Sequence, residues 1–418
     1  MSSGNEVLAG PAPGSGDDGK VLSPVAQEAP RRASLVTGNL RQSGIYIAFV
    51  AIVALFTVLT DGVLLSPGNI TNLVLQYSYI LVLAIGMVIV IIAGHIDLSV
   101  GSVVALTGAT SAVLVIQQDY PWWVGILAAL TVGVLVGAWQ GFWVAYVGIP
   151  AFIVTLAGML LFRGMTLQVL DNISLSPFPS EYTRIASGFS NNLIGGNGYD
   201  AFTVLVFALA VAGYAIAAFR SRQAKTRYGQ PVEPIGLFVA KIAVIGAVVM
   251  AFAYQLSRSR GVPYVLIILA VLIIAYSMLT RNAVFGRQVY AIGGNLSAAR
   301  LSGVKVRKVN FWIFVNMGFL AGVAGVIFSS RSNGAQPAAG QMFELDAIAA
   351  AFIGGAAVTG GVGTVIGAIV GGLIMAVMSN GMQLLSVDQS VQSIGRGLVL
   401  LLAVAFDVYT KRRAGGSG

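Results

Sequence analysis

From Ile45 to Tyr409 the sequence returns again and again to apolar runs of about 20 residues, the length that crosses the hydrocarbon core of a bilayer as helix. That recurrence constrains the chain more than any motif does. It dictates an all-α polytopic membrane protein of about 12 transmembrane helices, with roughly 10–14 admissible because run boundaries are good only to a few residues. The expected spans are 43–60, 72–93, 100–116, 122–146, 150–170, 200–219, 235–256, 263–280, 310–329, 347–361, 362–385 and 391–410. The run 347–361 is short and broken by glycine, so a re-entrant segment is an alternative to a full crossing there. Charged residues make up only 9% of the 418, against roughly 25% in soluble domains, which excludes a string of soluble domains. The 52 glycines fit helices that approach closely in lipid. With no cysteine and a single histidine, disulfides, thiolate sites and HExxH zinc sites are excluded.

The net charge of +9 is distributed in a way that orients a membrane protein. Residues 281–308 hold Arg281, Arg287, Arg300, Lys305, Arg307 and Lys308 with no acid, and residues 220–233 hold four cations against Glu233. Residues 171–200 carry Asp171, Glu181 and Asp200 against Arg184. Such loop asymmetry is the positive-inside pattern, so no nucleic-acid partner is needed to explain it. Twelve crossings then put both termini and both basic loops inside, with 171–199 as an extracytoplasmic loop. The exception is Ser257-Arg-Ser-Arg-Gly261, which the count places outside. Trp122, Trp123 and Tyr120 beside Pro121 form an interfacial anchor.

The segment 1–42 is rich in Gly, Ser, Pro and Ala and reads as a disordered cytosolic tail; 411–418 reads as a second, short tail. Residues 14–21, GSGDDGKV, nearly match a phosphate-binding loop but end in Val21, and no strand precedes them. The chain is therefore expected to bind no nucleotide, and no cleavable signal peptide is expected.

Chemistry concentrates in a few places. His95-Ile96-Asp97 and Glu344-Leu345-Asp346 each precede a small-residue apolar segment, the second reaching Gly354 and Gly355. The crossing count sets the first triplet at an inner end and the second at an outer end, as an inverted repeat would. Asp97 is read as a cap on the helix that follows, through amides of its first turn with Ser99 as a further acceptor, or as part of a substrate path; a charge in lipid costs about 2.5–3.5 kcal/mol. His95 reads as a packed or interfacial histidine, and Arg163 and Lys241 as residues that snorkel. In the loop 281–310, Gly293 and Gly294 are expected to turn, Asn295 to cap a short helix LSAARLS, and Gly303 to end it. Ala298 and Ala299 beside Arg300, with Leu301 next in the same helix, would give it an alanine face able to dock in a partner's groove; a solvated basic loop with a frayed turn is the alternative.

Three blocks now bear comparison: GHIDLSVGSVVALTGA, YAIGGNLSAARLSGV and GAQPAAGQMFELDAIAAAFIGGAAVTGGVGTVIGA. In sequence and order they resemble the permeases of bacterial ribose/xylose-type ABC sugar importers, over about residues 43–410, with the xylose and multiple-monosaccharide permeases nearest. The resemblance implies a type II importer-like permease in the cytoplasmic membrane. ATP and Mg would sit on separate ATPase subunits, with no cofactor, metal or catalytic residue on this chain. A periplasmic sugar-binding protein and a second permease chain, in a homodimer, are the other implied partners, besides the bilayer and a monosaccharide. The segment 293–303 becomes the coupling segment to the ATPase, and His95 stands where the ribose branch usually has glycine.

A neutral, hydroxyl-rich cargo calls for hydrogen-bonding groups on the path or its gate. The candidates are Gln76, His95, Asp97, Ser99, Gly101, Ser102, Asn316, Gln336, Glu344, Asp346, Gly354 and Gly355, together with Ser78. Three alternatives stay open: a nucleoside, autoinducer or branched-chain amino-acid cargo within the same family, an ion-coupled secondary transporter, and an intramembrane enzyme.

Overall fold

The computed structural model describes residues 32–191 and 193–415, so the near-match at 14–21 and the first 31 residues of the expected tail lie outside the described residues. The chain divides into two units, residues 1–40 and 41–418. In the first, residues from Arg32 onward are helical rather than coil and open α1 (Arg32–Leu59). In the second, α2 (Pro67–Ile92), α3 (Val100–Ala112), α4 (Trp122–Phe142) and α5 (Ala151–Val169) follow, and π-helical turns carry α3 to Gln117 and α4 to Val147. Next come α6 (Ser180–Ser187), α7 (Ala201–Arg227), α8 (Ile235–Ser257) and α9 (Tyr264–Asn282), with the two-residue strands β1 (Phe189–Ser190) and β2 (Val262–Pro263) paired antiparallel. The last part holds α10 (Val284–Gly294), α11 (Leu296–Leu301), α12 (Val306–Ser332), α13 (Phe343–Ile353), α14 (Val365–Leu384) and α15 (Gln389–Gly415). Residues 411–415, read as a tail, continue α15, and 416–418 lie outside the described residues.

Among the described residues nine helices are long and apolar enough to span a membrane, and Gly44–Leu59 of α1 is a shorter apolar stretch. The fold is all-α, with many helices of membrane-spanning length and apolarity. The expected span 347–361 is corrected: its helical part is α13, only 11 residues and therefore about 16 Å long, too short to cross alone. Non-helical chain built largely of turns flanks it on both sides. Ala335 pairs with Leu175 at one end, and Gly361 donates to the Ile92 carbonyl (2.8 Å) at the other.

Crossings alternate, so the ends of α2, α7 and α9 share one face with α10, α11 and the start of α12; this is the basic face. The opposite face carries residues 170–200 and the β1–β2 pair. There the expected open loop 171–199 is folded back onto α12. Tyr182 is fully buried with its hydroxyl 2.9 Å from Ser329 Oγ, and Ser330 Oγ accepts from the Ala186 amide at 3.0 Å. The two cations that broke the charge pattern lie over rings on this face, Arg258 over Tyr254 at 5.8 Å and Arg260 over Phe189 at 5.7 Å. Such contacts accommodate a guanidinium without a carboxylate.

Helices of similar hydropathy have opposite fates. α2 is apolar all round and sits at the centre, its most apolar window 89% buried, whereas the corresponding windows of α7 and α8 are only 6% buried within the chain. Round α2 the bundle closes through small residues. Gly133 and Gly137 of α4 lie against the backbone of Gly318 and Phe314 of α12, where a Cβ would strike carbonyl oxygens. This close approach gives dispersion contacts that lipid tails cannot replace.

Gly318→Val should force α4 and α12 apart and cost about 1–3 kcal/mol, as overpacking does. It should lower the thermal midpoint of the detergent-solubilised protein, while Gly164→Ala, where nothing lies within 4 Å of a Cβ, should leave it unchanged.

Candidate translocation path and coupling segment

Between α2 and α3 the chain leaves helical geometry inside the bundle. Gly94 turns it at φ +84°, and the His95 amide still donates to the Val90 carbonyl (3.0 Å). Asp97 is 2% exposed, and its Oδ1 accepts from the Ser99 amide (2.8 Å) and the Ser99 hydroxyl (2.6 Å). Ser99 Oγ in turn accepts from Gln140 Nε2 of α4 at 2.5 Å. The expected cap is thus displaced: Ser99 is the residue that opens α3, and Asp97 grips Ser99 rather than amides of the first turn. A two-residue separation lets a carboxylate reach back to a local amide, which competes with true capping. Thr155 of α5 donates to the Ile96 carbonyl (3.3 Å), so two neighbouring helices supply partners for the break.

A second non-helical stretch, 333–342, built mostly of turns, enters from the opposite face and meets the first turn of α3. The backbones of Gly101 and Gly340 touch so closely that a Cβ on either would overlap the other's carbonyl, and Glu344 lies against Gly101 as well. Arg163 does not snorkel. Its guanidinium donates to the Ala339 carbonyl and, at 3.4 Å, to that of Pro337, anchoring the stretch. Asp346 pairs with Arg396 of α15 at 3.8 Å. Gly354 and Gly355 close α13, with Gly354 against the Gly367 backbone of α14 and Gly355 at φ +88°.

The remaining path candidates are scattered about this core. His95 lies beside Asn310 and packs on Phe314, ring centres 5.8 Å apart, and its Nε2 is buried without a protein partner. Asn316, on the same helix, accepts from the Tyr276 hydroxyl (2.5 Å) while its Nδ2 is buried and unsatisfied, and so is Ser102 Oγ. Ser78 is buried and donates to the Leu75 carbonyl (3.2 Å) within its own helix. Gln76 points to Gln383 of α14 (3.4 Å) and Gln336 is exposed near the opposite face, so neither joins the cluster round the break. Lys241 pairs with Glu233 at 3.9 Å.

On the basic face the expected loop 281–309 is mostly helix. Gly293 and Gly294 do not turn; they are the last residues of α10. Asn295 Oδ1 accepts from the Ala298 amide (2.9 Å) at the start of α11, and Gly303 follows that helix at φ +82°. The two alanines do not share a face: Ala299 is buried and Ala298 is exposed with Arg300. The outward group is Leu301, 91% exposed. Gly293 lies against the Ile92 carbonyl and the Gly361 amide, and Tyr290 donates to the Gly363 carbonyl at 2.6 Å. Gly340, Gly360, Gly361, Gln140 and Tyr290 are the site residues that sequence reasoning missed. Only the doubled glycines of Gly360-Gly361 carried any signal.

The family described as branched-chain amino acid transport system / permease component matches residues 69–404. The chain is 41% identical over 375 residues to the xylose transport system permease protein XylH of Haemophilus influenzae, covering 90% of this chain and 98% of the relative. It is 39% identical to XylH of Escherichia coli K12 (90% and 94% covered) and 34% identical to the ribose import permease protein RbsC of Haemophilus influenzae (87% and 92% covered). No solved structure matches.

Removing the acceptor at the break should be costly. Asp97→Ala strands the buried Ser99 amide and hydroxyl, so the thermal midpoint of the purified protein should fall by the equivalent of about 1–3 kcal/mol, while Asp97→Asn, which keeps an acceptor oxygen, should lose less.

Proposed function

The chain belongs to the branched-chain amino acid transport system / permease component family, and from that premise we propose that it is the membrane-spanning subunit of an ABC importer for a monosaccharide, xylose or a related pentose or hexose. The observation that carries the reading is the 41% identity to a xylose permease along 98% of that protein. The basic face is cytosolic on this reading, by the positive-inside rule, and so are both termini. ATP and magnesium belong to separate ATPase subunits, a periplasmic binding protein delivers the sugar, and two copies of this chain form the pore. The chain itself holds no cofactor.

The geometry supports a route for coupling. An ATPase subunit grips α11 through the exposed Leu301 and Arg300. Displacement of α11 reaches Gly293 and Gly294, which abut the end of α2 and the α13–α14 connection with no side chain between. α2 runs directly into the break at 93–99, and the α13–α14 connection is joined through α13 to the stretch 333–342. Alternating access would then be a rearrangement of one broken segment against the other, as inverted repeats permit. The buried and unsatisfied polar atoms of His95, Ser102 and Asn316 are groups a sugar's hydroxyls can partner. A neutral cargo suits them, whereas Asp97 is already occupied by Ser99.

Uptake of labelled pentoses, hexoses and branched-chain amino acids in a strain lacking this chain, with and without its restoration, tests the reading. Xylose or a close relative should be the restored cargo; restored leucine uptake alone would overturn the sugar assignment. Leu301→Asp should reduce uptake about tenfold or more at unchanged membrane expression, the scale of losing a buried interface anchor. Gly293→Val should do the same by wedging the junction, and Asn316→Ala should weaken uptake.

A further inference from the structure

The α7–α8 hairpin takes no part in the path, yet its end on the basic face is organised. α7 and α8 pack on each other and present almost all of their apolar surface to lipid. Where they reach the water interface a cleft of about 280 Å³ opens between them, lined by Arg222, Lys225, Lys241, Glu233, Phe238 and Tyr214 among others. Arg222 is held in place: its guanidinium lies 5.0 Å from the Phe238 ring centre and donates to the Glu233 carbonyl at 2.5 Å. Glu233, the one carboxylate among the described lining residues, is engaged by Lys241 at 3.9 Å. That leaves Arg222 and Lys225 with positive charge that no carboxylate of the cleft offsets.

We propose that this cleft is a binding site for an anionic phospholipid of the inner leaflet. The phosphate would sit between Arg222 and Lys225, and the acyl chains would lie along the exposed apolar face of α7 and α8. Charge complementarity and the continuity of the cleft with lipid-facing surface favour a lipid over a soluble anion. A cationic cluster dictated only by membrane orientation would not need a cleft or a clamped arginine. The assignment rests on the membrane-spanning reading with the basic face inside. It adds a ligand on a part of the chain remote from the sugar path.

The test is native mass spectrometry of the full chain, purified in neutral detergent and titrated with phosphatidylglycerol, phosphatidylcholine or inorganic phosphate. One phosphatidylglycerol per chain should be retained in preference to phosphatidylcholine. Arg222→Gln with Lys225→Gln should reduce retention roughly 30-fold, taking about a factor of five for each cation near a headgroup. Lys308→Gln, an exposed cation elsewhere on the same face, should change it little. Equal loss in Lys308→Gln, unchanged retention in the double variant, or equal competition by inorganic phosphate would each overturn the site. Thermal midpoints in neutral detergent verify that the variants fold. Because the chain has no cysteine, sided labelling of Thr226→Cys in intact cells reads the orientation separately. Labelling from outside would overturn the inner-leaflet assignment even if lipid is retained.

Discussion

Backbone that is not helical cannot face hydrocarbon, because each unsatisfied amide or carbonyl there costs several kcal/mol. Among the described residues this chain leaves helical geometry next to buried helices at 93–99, 333–342 and 354–364, and the first two flank the start of α3. The second lies against the start of α3, just past the first, at Gly101 and Gly340, where two backbones touch without side chains. The polar groups left over are met from neighbouring helices: Gln140 through Ser99, Thr155 at Ile96, Arg163 at Ala339. Such coverage is local and replaceable, which is what a gate needs. A helix could not exchange partners without losing its own hydrogen bonds.

The same device recurs at the basic face. Gly293, Gly361 and the carbonyl of Ile92 form a junction of three chain segments, and Tyr290 ties a fourth contact to Gly363. Packing without intervening side chains is stiff, since there are no rotamers to absorb a displacement. On the proposed coupling route, a push on α11 would be delivered to α2 and the α13–α14 connection rather than dissipated. The hairpin of α7 and α8 stands apart from this junction, its apolar windows almost wholly unburied within the chain.

Hydropathy located most crossings to within a few residues, as with the expected 235–256 against Ile235–Ser257 and 150–170 against Ala151–Val169. It could not say which are central. α2 and α8 look alike because an apolar side chain is equally content against lipid or against protein. Asn295 was legible because capping is a local bargain between one side chain and an amide three residues on. The meetings of Ser99 with Gln140, and of Gly101 with Gly340, were not, because they join residues far apart in sequence with no periodic signal. The fold of 171–199 onto α12 was hidden for the same reason: Tyr182 and Ser329 meet only in three dimensions.

Hydrogen–deuterium exchange of the protein in lipid nanodiscs addresses the paired breaks most directly. Amides of 93–99 and 334–340 should exchange orders of magnitude more slowly than those of the exposed turn 228–234, although neither stretch is helical. Exchange of the two breaks as fast as that turn would mean that they are open to water rather than covered by the neighbouring helices, and the account of the proposed gate would fail.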